Sequence, residues 1–221
     1  MKKYALIVAG GIGSRMQSDV PKQFLPLCGR PVLFHTLEKF FAADEATEII
    51  LTLPKHYLSY WKDVCRKNKF KLKHKVIEGG ETRFHSVQKG LNVIREDGIV
   101  AVHDAVRPLI SAELINRLYT EAEQFGNAVP SVPVNESMRS VAGERNFFAD
   151  RSMYRLIQTP QCFNTAVIKK AFLQSYSITF TDEANVAEAD GVFIHLVNGE
   201  AHNLKITTAD DLVMVEALMS K

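Results

Sequence analysis

Short apolar runs that alternate with amphipathic helical patterns constrain this chain more than anything else in it. "YALIVA" (4–9), "EIILTL" (48–53), "KVIE" (75–78), "IVAVH" (99–103), "NAVPSVPV" (127–134) and "VFIHLV" (192–197) are rich in β-branched residues. Most are apolar on both faces, which suits strands of a sheet covered on both sides. Between them, Leu33, Leu37, Phe40 and Phe41 share one helical face, as do Phe84, Val87, Leu91 and Ile94. Leu114, Leu118 and Ala122 mark a third helix with Ser111 at its N-cap, and Thr208 precedes an acidic turn (Asp210, Asp211) that leads into Leu212, Val215 and Met219. This alternation predicts a three-layer, Rossmann-like α/β fold with a mainly parallel sheet, formed by residues 1–221 as one domain. An apolar fraction of 46% supplies the two cores such a fold needs.

Residues 134–157, "VNESMRSVAGERNFFADRSMYRLI", break the rhythm. They are polar, with short alternating patterns about Gly143, and read as a hairpin-like excursion from the core. A structureless loop of that length is uncommon in a compact domain, so an arm that packs on another subunit is expected.

In an open α/β sheet, ligands bind at the carboxyl ends of the strands. The first such end carries "AGGIGSRMQSDVPKQF". A dinucleotide fingerprint would need small residues at 11, 13 and 16, but position 16 is Met, and no Gly-Lys-Ser/Thr exists for a P-loop. What remains are glycines that let backbone N–H groups approach a polyphosphate, followed by two cations, Arg15 and Lys22. That combination suits phosphoryl or nucleotidyl transfer. The formal net charge is only +2, which argues against a nucleic-acid partner, so anion binding must be local. Cys28, Cys65 and Cys162 make no metal spacing or disulfide framework, and read as small buried residues of a cytoplasmic protein. No stretch approaches the roughly 18 apolar residues of a membrane span, and the basic start "MKKYALIVAGG" is too short in its apolar part for a signal peptide.

"AGGIGSRM…PKQF" resembles the signature of sugar- and polyol-phosphate nucleotidyltransferases. It is followed in order by "EGGETRFHSV" (78–87), "VHDAVRP" (102–108), "QTPQCF" (158–163), "TDEA" (181–184) and "NLKIT" (203–207). Together these stretches resemble the 2-C-methyl-D-erythritol 4-phosphate cytidylyltransferases of non-mevalonate isoprenoid synthesis, over essentially the whole chain. The resemblance implies attack of the polyol phosphate on the α-phosphorus of CTP, with Mg²⁺ present and pyrophosphate leaving. It implies that Ala9, Gly10, Gly11 and Gly13 wrap the triphosphate, that Arg15 and Lys22 stabilise the transition state, and that Lys205 lies near the reacting phosphates. Gly80, Glu81 and Ser86 would hold the cytosine, with Arg83 ordering that turn.

Asp104 would face the ribose, the metal or the polyol hydroxyls, with Arg107 beside the substrate or supporting Asp104. Thr159 and Thr181 would line the pocket. The excursion matches the family's dimerisation arm, with Arg151 gripping the polyol phosphate of the neighbouring subunit and Ser137 in the place of a substrate-binding Thr. Here the chain departs from the family's Asp-Thr-hydrophobic-Lys pattern, having "NESMR" at 135–139. His103 is expected to be a packed strand-end histidine, and Asp182, Glu183, Asp210 and Asp211 to be first-turn helix residues. A sister activity on ribitol 5-phosphate or another polyol phosphate stays open, since Val106 in "HDAVRP" leans that way. A dinucleotide oxidoreductase fails on Met16 and on a missing ribose-binding acid. A non-catalytic nucleotide-binding domain is opposed by the joint presence of Arg15, Lys22 and Lys205.

Overall fold

The computed structural model describes residues 1–10 and 20–220. Strand β1 (Lys2–Val8) is followed by a small hairpin, β2 (Pro26–Leu27) and β3 (Arg30–Pro31), and by helix α1 (Val32–Ala43). Then come β4 (Glu48–Leu53), α2 (Leu58–Lys67), β5 (Lys75–Glu78), α3 (Arg83–Asn92), β6 (Gly98–Asp104) and α4 (Ala112–Phe125). The second half holds β7 (Asn127–Pro133), β8 (Met138–Ala142), β9 (Arg145–Ala149), β10 (Arg155–Ile157), β11 (Gln161–Asn164), α5 (Thr165–Ala171), α6 (Glu183–Ala189), β12 (Leu196–Asn198) and α7 (Ala209–Met219).

The main sheet runs β5–β4–β1–β6–β11–β7, with β10 and β12 also pairing with β7. β5, β4, β1 and β6 are parallel to one another, and β12 is parallel to β7. β11 runs antiparallel to both β6 and β7, and β10 antiparallel to β7. The apolar runs are two-sided because each strand feeds two cores. Ala5 and Ile7 of β1 pack with Leu33, Leu37, Leu118 and Trp61 on one face, while Tyr4, Leu6 and Val8 pack with Phe84, Val87 and Ile168 on the other. Each such side chain withdrawn from water contributes about 1.5–3 kcal/mol. The three layers and the mainly parallel sheet follow the expectation from sequence.

The order fixes where a ligand can sit. After β1 the chain moves outward to β4 and β5, then returns to place β6 on the other side of β1. The carboxyl ends of β1 and β6 therefore stand at the switch point of the strand order, where a sheet of this kind opens a crevice.

Several elements differ from the sequence reading. The strand expected over 192–197 shortens to Leu196–Asn198. The Asn127 side chain takes the place of ladder bonds there, donating to Phe193 O (2.9 Å) and accepting from His195 N (2.8 Å). Helices α2 and α5 and strands β10 and β11 have no counterpart in the sequence patterns, while α6 begins where Asp182 and Glu183 suggest a helix start. The excursion forms the β8–β9 hairpin about Gly143, which has a positive φ of 60° and turns the chain, but its last residues, 155–157, return to the main sheet as β10. Of the cysteines only Cys162 is buried. Cys28 is exposed at the β2–β3 turn and Cys65 is half-buried. Among the described residues no helix is long and apolar enough to cross a membrane.

Gly98 lies tight against β1, where a Cβ would fall 2.2 Å from the backbone oxygen of Lys2. Gly98→Ala should lower stability by about 1–3 kcal/mol, read as a lower urea midpoint. An unchanged midpoint would mean that this pairing is not tight.

Candidate active site

Four turns meet at the crevice. The first leaves β1. Ala9 is pinned on both sides, its N–H donating to Thr52 O (3.1 Å) and its carbonyl accepting from the buried Gln23 amide (3.0 Å). Gly10 follows. Gly11, Gly13 and Arg15 lie outside the described residues. Pro21 leads into a 3₁₀ turn, Lys22–Phe24, seated by Phe24 against the edges of Tyr57 and Tyr60. From it the buried Lys22 ammonium donates to Ile206 O at 2.9 Å.

The second turn follows β5. A Cβ at Gly80 would fall 2.3 Å from His85 Cβ, so only glycine allows this close passage of chain over the start of α3. The Ser86 hydroxyl lies buried beneath it, accepting from Gly80 N (3.0 Å) and donating to Thr82 O (3.0 Å). Thr82 caps α3, and Glu81 is exposed at the turn's lip.

The third turn ends β6 at Asp104, where the charge is concentrated. Lys205 Nζ lies 2.9 Å from Asp104 Oδ2, Arg107 Nε 3.3 Å from the same oxygen, and Arg83 Nε 3.6 Å from Oδ1. Burial alone would raise this carboxyl, but the attraction of Arg83, Lys205 and Arg107 outweighs it and holds Asp104 far below the usual carboxylate range. Its backbone N–H donates to Thr159 Oγ1 (3.1 Å). That hydroxyl also meets His103 Nδ1 (3.1 Å), and His103 Nε2 meets Arg107 O (3.1 Å). Since a carbonyl can only accept, Nε2 carries the proton and Nδ1 accepts from Thr159. His103 is thus a neutral strut. Burial lowers its pKa to about 4.

The fourth turn is "NLKIT". Ile206 N–H donates to Val106 O (2.9 Å), placing Lys205 over Asp104 and presenting the Ile206 carbonyl to Lys22. The segment is locked to α7, because Asp211 Oδ2 accepts from both Thr207 N and Thr208 N at 2.8 Å, completing a capping box. Asp182 likewise caps α6.

The structure thus brings Asp104, Arg107, Thr159, Thr181 and Lys205 together around one cavity, joins Lys22 to them through Ile206, and sets Gly10 and Gly80 on either side of the Ser86 hydroxyl. A 100 Å³ cavity is lined by Arg83, Asp104, Arg107, Thr159, Thr181 and Lys205. It shares Arg107 and Lys205 with an open cleft of 610 Å³ that reaches Asn135 and Glu136 at the root of the hairpin. Ser137 and Arg151 line neither. Both are exposed, and Arg151 donates to Asn135 O. Glu183 is the first-turn helix residue that the sequence suggests, but it is also fully buried and gripped by Arg83, 100 residues away in sequence. "TDEA" is the only signal of it, and an acidic pair at a helix start is too common to single it out.

Among the described residues this crevice presents fixed cations and no uncommitted base: His103 is engaged on both nitrogens, Asp104 is held ionised by three cations, and Asp182 caps α6. Such a site can relieve repulsion between anionic reactants but is poorly suited to abstracting a proton. For a metal, the described residues contain no cluster of three His, Cys, Asp or Glu side chains. Of the two carboxylates lining the smaller cavity, Asp182 is committed to capping α6, which leaves Asp104. One carboxylate fits an ion that completes its shell from water and substrate phosphates.

Fold and crevice chemistry together define an α/β nucleotidyltransferase. The family model described as "IspD: 2-C-methyl-D-erythritol 4-phosphate cytidylyltransferase" matches residues 4–221. A Bacteroides thetaiotaomicron protein of that name is 47% identical over 99% of this chain and its own full length, and one from Porphyromonas gingivalis is 46% identical over 99% of this chain and 98% of its own. The crystal structure of the Thermus thermophilus enzyme of the same name superposes with a TM-score of 0.81, 32% identity and full coverage of both chains. A 4-diphosphocytidyl-2C-methyl-D-erythritol synthase from Anaerococcus prevotii gives a TM-score of 0.84 at 26% identity, over 100% of this chain and 96% of its own. The chain belongs to the 2-C-methyl-D-erythritol 4-phosphate cytidylyltransferase family.

A histidine held at about 4 when folded, against 6.5 when free, binds its proton more readily in the unfolded chain. Its stabilising effect is complete above pH 6.5 and is lost as pH falls toward 4, by about 3 kcal/mol at about 1.4 kcal/mol per unit. Stability measured by urea should fall through this window, and His103→Gln should flatten that slope. An equally steep slope in the variant would place the titrating group elsewhere.

Proposed function

We infer that this protein transfers CMP from CTP to 2-C-methyl-D-erythritol 4-phosphate, releasing pyrophosphate and 4-diphosphocytidyl-2-C-methyl-D-erythritol. The observation that carries this is the Asp104 crevice, in which cations from three separate segments converge with no base among them, in a chain that matches one family over its whole length. A phosphate nucleophile is already anionic at neutral pH, so the chemistry needs charge relief and alignment only.

In this reading the backbone about Ala9, Gly10, Gly11 and Gly13 receives the triphosphate, and the Gly80–Glu81 turn, braced by Ser86, receives the cytosine. Lys22 and Arg15 face the α-phosphorus, where negative charge grows. Lys205 shifts from Asp104 toward the incoming phosphate, Arg107 keeps Asp104 in place, and Thr159 and Thr181 wall the acceptor. Mg²⁺, held mainly by the triphosphate with Asp104 as its protein ligand, offsets phosphate charge when bound. Lys22→Ala, Arg15→Ala and Lys205→Ala should each fold normally and lose about 10²–10³ in turnover. Near-normal rates in any of them would remove that residue from the chemistry.

The acceptor is tested by offering 2-C-methyl-D-erythritol 4-phosphate and ribitol 5-phosphate with CTP and following pyrophosphate release. The methylerythritol ester should be preferred by a wide margin. A preference for ribitol 5-phosphate would transfer the chain to the sister activity.

The protein is further proposed to act as a cytoplasmic homodimer. Val141, Phe147, Phe148, Met153 and Tyr154 expose apolar surface on or next to the hairpin, more than a solvated arm needs. A second copy covering them would bring Arg151 and Ser137 to the neighbouring acceptor site. If so, mixing inactive Arg151→Ala and Lys205→Ala chains should restore about a quarter of wild-type turnover, since half the dimers would carry one intact site. No recovery after subunit exchange would confine Arg151 to its own chain.

A further inference from the structure

Glu183 is fully buried, one residue beyond the cap of α6. Nothing in the transfer itself calls for a second carboxylate at this depth. Burial pushes its carboxyl up, against the pull of Arg83. Arg83 Nη2 donates to Oε2 at 2.9 Å, and Nη1 donates to Oε1. Stability does not require this pair, since well-packed apolar residues often serve a buried site as well or better.

What the pair fixes is position. The Gln161 side chain clamps the start of α6, its Nε2 donating to Asp182 Oδ2 (3.0 Å) and its Oε1 accepting from Ala184 N (2.7 Å). Gln161 stands opposite Val102 of β6, two residues before Asp104. The frame thus closes on itself, from β6 through Gln161 and α6 to Glu183, then through Arg83 back to Asp104. Arg83 meets Glu183 with both Nη atoms and turns only Nε toward Asp104, at 3.6 Å. An arginine without Glu183 would be free to lay its full fork on Asp104, the geometry a carboxylate favours. That would pull the guanidinium from its present place in the 100 Å³ cavity that both residues line.

We propose that Glu183 is a positioning residue that holds Arg83 by its Nη edge, keeping it a fixed cation on the acceptor side of the crevice. The proposal rests on the cytidylyl-transfer reading given above. Arg83 touches the acceptor, and Glu183 acts only through Arg83.

The test is steady-state kinetics on the full-length protein with CTP and 2-C-methyl-D-erythritol 4-phosphate varied separately. A wild-type chain that makes no pyrophosphate overturns the cytidylyl-transfer reading and is recognised before any variant is compared. With an active wild type, Glu183→Gln and Arg83→Lys should each raise KM for the polyol phosphate about 10- to 100-fold and leave KM for CTP within about twofold. Arg83→Lys/Glu183→Gln should be no worse than Arg83→Lys alone. Wild-type kinetics, equal losses for both substrates, or additive losses would each overturn the proposal. If Glu183→Gln fails to fold, the neutral pair Arg83→Gln/Glu183→Gln should restore the melting temperature without restoring the KM for the polyol phosphate. Recovery of both would reduce the pair to a structural brace and overturn the proposal.

Discussion

The attraction between Asp104 and its three cations is the interaction on which the rest of the site depends. A lone carboxylate at the buried end of a central strand would favour its neutral form. Arg83, Arg107 and Lys205 reverse that, and each arrives from a different part of the chain. Asp104 in turn keeps three like charges close together before any substrate enters. The cations are therefore preorganised for anions at little reorganisation cost, which is what electrostatic catalysis requires.

The fold supplies the geometry. β6 carries Asp104 to the switch point of the strand order, beside the carboxyl end of β1. Neutral His103 and the Thr159 hydroxyl brace the backbone beneath it. The segment 203–208, fixed by Ile206 to Val106 and by Asp211 to α7, serves two lysines at once, carrying Lys205 to Asp104 and lending its carbonyl to Lys22. A displaced α7 would therefore disturb both cations together, although the helix itself does not line either cavity at the crevice.

Much of the fold was legible in the sequence because short apolar runs bounded by turn residues favour strands of a covered sheet. β4 and β5 fall where "EIILTL" and "KVIE" predict, and Ser111 and Thr208 cap the expected helices. Less regular pieces were hidden for physical reasons. "VFIHLV" has strand composition, yet Asn127 satisfies its backbone by side chain. α2 buries only Trp61 fully, with Leu58, Val64 and Cys65 half-buried beside it among charged residues, and β10–β11 is interrupted at Pro160.

The same division holds for the site. Motif residues at strand ends come together as expected, while the Arg83–Glu183 pair stays invisible in the sequence because it joins residues 100 apart that each have an ordinary local explanation. Cys28 escapes the burial its residue type favours because it sits in a turn, with a φ of 49°.

The most direct measurement is the fate of label from CTP carrying ³²P at either the α or the γ position, incubated with 2-C-methyl-D-erythritol 4-phosphate. Attack at the α-phosphorus puts the α label in the polyol product and the γ label in pyrophosphate. A γ label on the polyol, with CDP released, would contradict cytidylyl transfer and make the crevice a phosphoryl-transfer site.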